Sequence, residues 1–173
     1  QISLVNYPKV RTIRIDAIKK EKGALGCAYS HIKTLKKILE LNNQYTLILE
    51  DDFNWRLKPE ICNQKIQNVF KHTDKWDVCL LACNGHTKDN NDDILTAVQC
   101  LTTSGYIIKQ SYVQTLLDLW EKHIVDDKLI KEIDVTWFEL QKKDNWIATN
   151  PLIGYQMGSH SDIQKGYIGP VGK

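Results

Sequence analysis

The sequence contains no apolar run of membrane-spanning length, no internal repeat and no low-complexity segment. It also contains neither a Gly-Lys-Ser/Thr phosphate loop nor the Gly-x-Gly-x-x-Gly pattern of dinucleotide-binding domains. The net charge of +2 over 173 residues is small and the basic residues are scattered, which argues against nucleic acid or a membrane surface as a partner. These absences leave one globular domain, large enough to bury a core.

The five cysteines are an odd number and are widely spread, which does not suit a disulfide framework. Cys79 and Cys83 lack the second Cys/His pair of a zinc knuckle. We therefore expect buried free thiols in a reducing compartment, and with no signal peptide visible we predict a cytoplasmic protein. Abundant lysine, isoleucine and asparagine fit an AT-rich genome, such as that of a bacterium, a protist or a large DNA virus acting in its host's cytoplasm.

Strand-like and helix-like segments alternate along the chain, which favours an α/β domain over residues 1–173 with a mixed, mostly parallel sheet flanked by helices. We expect residues 84–93 to form a solvent loop and the tail from residue 159 to be loop-like. The predicted strands are 12–18, 45–50, 76–82 and 96–109, with one or two short strands within 146–157. The predicted helices are 24–41, 59–70, 111–123 and 127–142.

An apolar segment, Tyr45 to Leu49, runs directly into Glu50, Asp51 and Asp52. Ligands of open α/β sheets bind outside the carboxyl ends of such buried strands. Along an extended chain Glu50 and Asp52 would share one face, as a pair of oxygen ligands that hold Mg²⁺ or Mn²⁺ against a substrate phosphate. The alternative is an acidic loop in which one carboxylate caps a helix beginning at Pro59, and this segment alone does not decide between them.

Other segments carry polar groups suited to ligands, each with a structural alternative. The glycine-rich start of a helix at Gly23 to His31 suits a phosphate, but this segment alone favours the structural alternative, tight packing of the helix on the sheet. The hydroxyls of Thr102 to Ser104, with Tyr106 stacking on a pyranose, suit a sugar or else form a bulged core strand. Asp134 is a candidate general base or a helix cap, and Gln156 is a candidate metal or phosphate contact.

Taken in order from Arg14 onward, these segments resemble glycosyltransferase family 25, which contains bacterial lipooligosaccharide galactosyltransferases and collagen galactosyltransferases. Asp134 stands alone, and the other matching features are short motifs. They are Gly26-Cys27-x-x-Ser30-His31, Leu49-Glu50-Asp51-Asp52, Ser104-Gly105-Tyr106, Pro151-Leu152 and Ser161-Asp162-Ile163.

The resemblance implies a GT-A-type fold and an inverting transferase that moves galactose or glucose from a UDP-sugar to a glycan, lipooligosaccharide or protein hydroxyl. By this resemblance Glu50-Asp51-Asp52 takes the place of an Asp-x-Asp motif, and the cofactor is Mn²⁺ or Mg²⁺. Metal ligands would be Glu50 and Asp52, with Gln156 as a further candidate, and Asp134 would be the catalytic base. The donor contacts would be Ser30, His31, Asp51, Ser104, Gly105, Tyr106 and Asp162.

The N-terminus departs from the family pattern. Family members normally begin with a strand, followed by a helix and an arginine that helps to bind the nucleotide base. Only Gln1 to Lys9 precede the first strand predicted here, so we expect that the family's first strand is missing. A catalytically degenerate binding module is the alternative function. A Mg²⁺-dependent phosphohydrolase or nucleotidyltransferase would need a second acidic cluster or a basic phosphate motif, and we find neither.

Overall fold

The computed structural model describes residues 11–72, 75–157, 160–161 and 166–167, and all elements named below lie in these ranges. In chain order the strands are β1 (Tyr45–Leu49), β2 (Phe53–Trp55), β3 (Val78–Leu80), β4 (Asn84–Asp89), β5 (Ile94–Leu101), β6 (Gly105–Lys109), β7 (Ile124–Val125), β8 (Lys128–Leu129), β9 (Trp146–Thr149), β10 (Gly154–Gln156), β11 (His160–Ser161) and β12 (Gly166–Tyr167). The helices are α1 (Gly23–Leu41), α2 (Pro59–His72), α3 (Gln110–Lys122), α4 (Ile133–Thr136) and α5 (Phe138–Gln141).

A six-stranded sheet with the order β1-β6-β3-β9-β5-β4 forms the centre of the fold. Within the described strands of this sheet β3 and β9 form the one parallel pair, and the other four neighbouring pairs are antiparallel. The mixed α/β class is confirmed, but the prediction of a mostly parallel sheet is wrong. An apolar run such as Tyr45–Leu49 carries no information on strand direction. In β1 the run does not guarantee full burial either, since Leu49 is 42% exposed.

Helices cover both faces of the sheet because its central strands are apolar on both sides. Val78 and Leu80 join a core with α1 and α3, while Cys79 and Leu81 join a second core with α2. Helix α1 contributes a buried stripe at helical spacing and ends at Asn42, whose φ of 50° is the left-handed conformation of a helix cap. The helices predicted at 24–41, 59–70 and 111–123 are confirmed as α1, α2 and α3. No described helix is long and apolar enough to cross a membrane.

All five cysteines are free thiols, as predicted, and four of them are buried. Two other local predictions are wrong. Residues 12–18 form no strand. The end of this segment contacts helix α1 instead, where the Ile18 N–H donates to Ser30 Oγ at 2.8 Å. Residues 84–89 form β4 instead of a loop, and their side chains are mostly exposed because β4 lies at a sheet edge. Polar composition suits a solvent-exposed edge strand as well as a loop.

The predicted helix at 127–142 is also wrong. Asp126 and Asp127, with φ of 50° and 55°, instead form a two-residue turn between β7 and β8. Two short helices, α4 and α5, then replace the single long one. This change matters for the site because it places Asp134 in the first turn of α4.

A small second sheet positions residues far apart in the chain. Strand β10 pairs antiparallel with β2, so that Gln156 lies opposite Phe53. The Gly154 N–H donates to the Leu81 carbonyl at 2.9 Å, which fixes β10 beside the end of β3. In the predicted tail, the backbone of β11 pairs with that of β12.

Candidate functional site

The chain reverses direction after β1, in the segment 50–53 that we call the acidic turn. The Phe53 N–H donates to the Glu50 carbonyl at 3.2 Å and closes this turn, while the Glu50 N–H donates to the Ser104 carbonyl at 2.8 Å. The expected extended geometry is therefore wrong. Glu50 and Asp52 reach different partners, and no hydrogen bond among the described residues joins either carboxylate to the start of α2.

Phe53 anchors the acidic turn by packing its ring against two glycines. A Cβ atom added to Gly105 would lie 2.3 Å from the ring, and one added to Gly154 would lie 2.2 Å from it. Neither position can accept a side chain unless the ring moves. Gly105 was predicted to contact a sugar-nucleotide donor; the structure shows a packing reason for this glycine, and the donor contact stays a prediction.

On one side of the acidic turn Glu50, His31, Thr103 and Tyr106 form a group that we call the histidine arm. Glu50 Oε1 accepts a hydrogen bond from Thr103 Oγ1 at 2.5 Å and lies 3.0 Å from His31 Nε2. His31 Nδ1 lies 3.3 Å from the Tyr106 hydroxyl. The His31 side chain is 6% exposed, so this contact with Glu50 takes place inside the protein.

The histidine arm carries a neutralised carboxylate. Burial lowers the pKa of His31, but hydrogen bonds to Cys27 and Glu50 outweigh burial and bring this pKa to about 10. Burial raises the pKa of Glu50, yet the hydrogen bond and charge of His31, with the Thr103 hydroxyl, lower it below its usual value. At neutral pH the pair is therefore an imidazolium and a carboxylate.

On the other side of the turn Asp52, Gln156, Thr102 and Asp134 form a hydrogen-bonded chain that we call the glutamine arm. Gln156 Nε2 donates to Asp52 Oδ2 at 2.8 Å. Thr102 Oγ1 donates to Gln156 Oε1 at 2.9 Å, and the Thr102 N–H donates to Asp134 Oδ2 at 3.1 Å. The glutamine arm thus connects the acidic turn, β10, the β5–β6 connection and α4.

Asp52 is a carboxylate without a cationic partner among the residues that the structure describes. Its Oδ1 atom is buried and accepts no hydrogen bond from this part of the chain. Burial raises the pKa of Asp52, and the charges of Glu50 and Asp51 raise it further against the hydrogen bond from Gln156. An unpartnered buried carboxylate oxygen is costly, and a bound cation would relieve that cost.

Asp134 faces another segment of the chain. Its carboxylate reaches out of α4 to the Thr102 N–H, and Glu132, not Asp134, is the N-cap residue of α4. Burial raises the pKa of Asp134, the Thr102 N–H opposes this, and the charges of Glu132 and Glu50 add to the increase. A raised pKa suits a carboxylate that accepts a proton from a hydroxyl near neutral pH.

One feature of Asp52 would suit a divalent cation. Its Oδ1 is unpartnered, and Glu50 Oε2 accepts no hydrogen bond from the described part of the chain. Gln156 directs its Nε2 toward Asp52 because an ionised carboxylate can only accept hydrogen bonds. The amide thus supports Asp52 through Oδ2 and leaves Oδ1 for a ligand. Among the described residues, a group of three ligand-type atoms within 4.8 Å of one another lies on Cys27, His31 and Glu50 and does not include Asp52. His31 and Glu50 already hydrogen-bond to each other there.

Several residues predicted to contact the sugar-nucleotide donor have side chains that point into the protein. The Ser30 hydroxyl donates to the Gly26 carbonyl at 2.8 Å. Ser104 and Tyr106 are 0% exposed, so the structure does not show the ring face that the predicted stacking of Tyr106 on a pyranose requires. Asp51 is exposed, and Asp162 lies outside the described residues. Direct donor contacts by these residues stay predictions.

The sequence analysis singled out Thr102 and Thr103 for their hydroxyls but did not predict that these would bind side chains of the site, and it missed Phe53. Thr102 has a φ of 75°, a left-handed conformation that costs a residue other than glycine roughly 1–2 kcal/mol. The only signal for the threonines was their place in a hydroxyl-rich segment before Gly105. Nothing in the sequence pattern indicated that Phe53 would pack on two glycines.

The family model described as "Glycosyltransferase family 25 (LPS biosynthesis protein)" matches residues 17–135. The matched region includes the acidic turn, the histidine arm, Thr102 and Asp134, whereas Gln156 lies beyond it. A comparison with curated proteins found no match.

Proposed function

Because the chain belongs to glycosyltransferase family 25, we propose that it is an inverting, metal-dependent hexosyltransferase with a GT-A-type fold. It takes galactose or glucose from a UDP-sugar and transfers the hexose to a hydroxyl of a glycan, lipooligosaccharide or protein. The observation that carries the proposal is the glutamine arm. It joins Asp52, a carboxylate with no cationic partner among the described residues, to Asp134, a carboxylate suited to accept a proton.

In this proposal Asp52 holds Mn²⁺ or Mg²⁺, with Glu50 as the neighbouring acidic ligand. When bound, the cation supplies positive charge to the diphosphate of the leaving UDP. Asp134 takes the proton of the acceptor hydroxyl as the hydroxyl oxygen forms its bond to the anomeric carbon. The bond between that carbon and the diphosphate oxygen breaks on the opposite side, and its electron pair leaves with UDP. The His31 cation keeps Glu50 ionised.

The test measures UDP binding and UDP-hexose hydrolysis with and without Mn²⁺. We expect wild-type protein to bind UDP only with the metal, and Asp52→Ala to abolish this binding. Asp89→Asn on the exposed strand β4 is the matched control and keeps wild-type binding. Wild-type protein that binds neither UDP nor Mn²⁺ would refute the transferase proposal.

A second variant separates binding from catalysis. Asp134→Asn retains an oxygen that accepts the Thr102 N–H, so we expect it to bind UDP and Mn²⁺ normally. Its turnover should fall by roughly 10²–10⁴-fold, the usual contribution of a general base. Unchanged turnover would remove Asp134 from the mechanism.

The burial of Ser104 and Tyr106 favours one alternative, a transferase-fold module that binds a glycan without turnover. Such a module would bind glycans equally well without metal and would show no hydrolysis of any UDP-hexose. Metal-dependent hydrolysis that requires Asp134 would exclude it.

A further inference from the structure

We propose that Thr102 is a positioning residue that holds both carboxylates of the glutamine arm in place for the transfer reaction. This inference rests on the proposed function, since it assigns Thr102 a task at the same site. Thr102 touches neither the cation nor the substrate in this account. It acts on Asp134 directly and on Asp52 through Gln156.

The position of Thr102 suits this task. It lies between the end of β5 and the start of β6, and it is 6% exposed, so its polar groups contact protein and not water. One residue spends its N–H on Asp134 and its hydroxyl on Gln156. It does so at a φ of 75°, where a β-branched residue is rare. Such outliers persist where the surrounding contacts over-determine them, often at functional sites.

The Thr102 hydroxyl fixes the orientation of the Gln156 amide. Because this hydroxyl donates to Oε1, the amide must present Nε2 to Asp52, where it occupies Oδ2 and leaves the buried Oδ1 without a partner. Without the hydroxyl, Oε1 loses its buried donor and the amide loses its fixed orientation. Asp52 then loses its support, and we expect its affinity for a cation to fall.

The experiment compares Mn²⁺ affinity in the wild-type chain, Thr102→Val and Thr102→Ser, measured by electron paramagnetic resonance of free Mn²⁺. Valine keeps the shape of threonine without the hydroxyl, while serine keeps the hydroxyl. We expect Thr102→Val to weaken Mn²⁺ binding by roughly 10-fold or more, as for other residues that support a metal ligand. Thr102→Ser should restore binding to near the wild-type value. Equal affinities in all three proteins would overturn the inference.

Two readouts distinguish positioning from a general loss of structure. In a Gln156→Leu background, Thr102→Val should cause no further loss of Mn²⁺ affinity, because its effect passes through Gln156. The pH at which hydrolysis is half-maximal should stay at the wild-type value, because Thr102→Val keeps the N–H bound to Asp134. Additive losses of affinity, or a shifted pH midpoint, would refute the proposed route.

The outcomes also separate this inference from the proposed function. Wild-type protein that binds no Mn²⁺ refutes both. Wild-type protein that binds Mn²⁺ and hydrolyses a UDP-hexose, while Thr102→Val matches it in affinity, refutes the role of Thr102 alone. If Thr102→Val does not fold, Thr102→Ala provides the same comparison, since alanine removes the hydroxyl and lacks the branched Cβ.

Discussion

The two arms of the site treat neighbouring carboxylates in opposite ways. Glu50, in the histidine arm, is paired with a buried imidazolium and a threonine hydroxyl. Asp52, only two positions later, has a glutamine amide on one oxygen and no hydrogen-bond donor from the described residues on the other. The pKa of Glu50 is lowered, whereas the pKa of Asp52 is raised. The sharp reversal in the acidic turn creates this difference.

The difference between Glu50 and Asp52 indicates which carboxylate would gain more from a bound cation. A carboxylate that the protein itself neutralises gains little from a metal, while one that is buried with an unpartnered oxygen gains much. This argument makes Asp52 the principal ligand in our proposal and Glu50 an auxiliary one. The arms can be tested separately, since the histidine arm should govern the stability of the fold and the glutamine arm should govern cation binding.

The largest effect should come from the histidine arm. Glu50→Gln leaves His31 buried without its counter-ion, and we expect a loss of about 3 kcal/mol in the free energy of unfolding, the usual scale for one half of a buried pair. Urea unfolding at pH 7 measures it. Glu40→Gln, which breaks the exposed pair with Lys37, is the control and should cost about 1 kcal/mol or less. Equal losses in the two variants would contradict a buried ion pair at Glu50.

Asp52→Asn should show the reverse pattern. Without metal we expect no loss of stability, since the change removes an uncompensated charge. With Mn²⁺ at a hundred times its dissociation constant, wild-type protein should gain about 2.7 kcal/mol, and Asp52→Asn should gain nothing. Urea unfolding with and without Mn²⁺ checks this, with Asp89→Asn as the control. If metal-free Asp52→Asn were destabilised as much as Glu50→Gln, the contrast between the arms would fail.

Gly105→Ala should disturb both arms together, because the new Cβ meets the Phe53 ring that anchors the acidic turn. We expect a loss of roughly 1–3 kcal/mol, typical of overpacking, together with weaker stabilisation by Mn²⁺. Adding Phe53→Leu should recover part of both losses by making room for the methyl group. No recovery in the double variant would show that the ring contact is not the cause.

The smallest effect concerns pH and is measured without metal. The folded-state pKa of Asp134 lies above the ordinary value of 3.8, so the folded chain binds this proton more tightly than the unfolded chain. The resulting stabilisation is complete below 3.8 and is lost as pH rises through the raised pKa. Asp134→Asn should remove this part of the pH dependence in urea titrations. Glu50 should give the opposite slope, because its pKa is lowered.

The sequence was a good guide where one local pattern determines the structure. The spacing of Leu25, Ile32 and Leu35 defines the buried face of α1, and Asn42 ends the helix as expected. Strand direction depends on partners elsewhere, so the apolar segment at Tyr45 gave no warning that β1 pairs antiparallel with β6. Polar β4 was missed for a similar reason, since its pairing with β5 and not its own composition makes it a strand.

The acidic members of the candidate site were visible in the sequence, but their surroundings were not. Glu50, Asp52 and Asp134 were singled out as chemically useful carboxylates. The reversal that separates Glu50 from Asp52 was not predicted, because apolar strand residues run into it without a glycine or proline. The orientation of Gln156 depends on a contact with Thr102, 54 positions away, which no local pattern reveals.

The pairing of β10 with β2 has a practical consequence for anyone expressing this protein. The family match ends at Val135, yet β9, which lies inside the central sheet, comes later, as do Gly154 and Gln156. A polypeptide limited to residues 17–135 would lack β9, the parallel neighbour of β3. It would also lack β10, which pairs with β2 and carries Gln156 to Asp52. The contacts that hold the site thus continue beyond the matched segment at least to Met157, whose N–H donates to the Asp52 carbonyl at 2.8 Å.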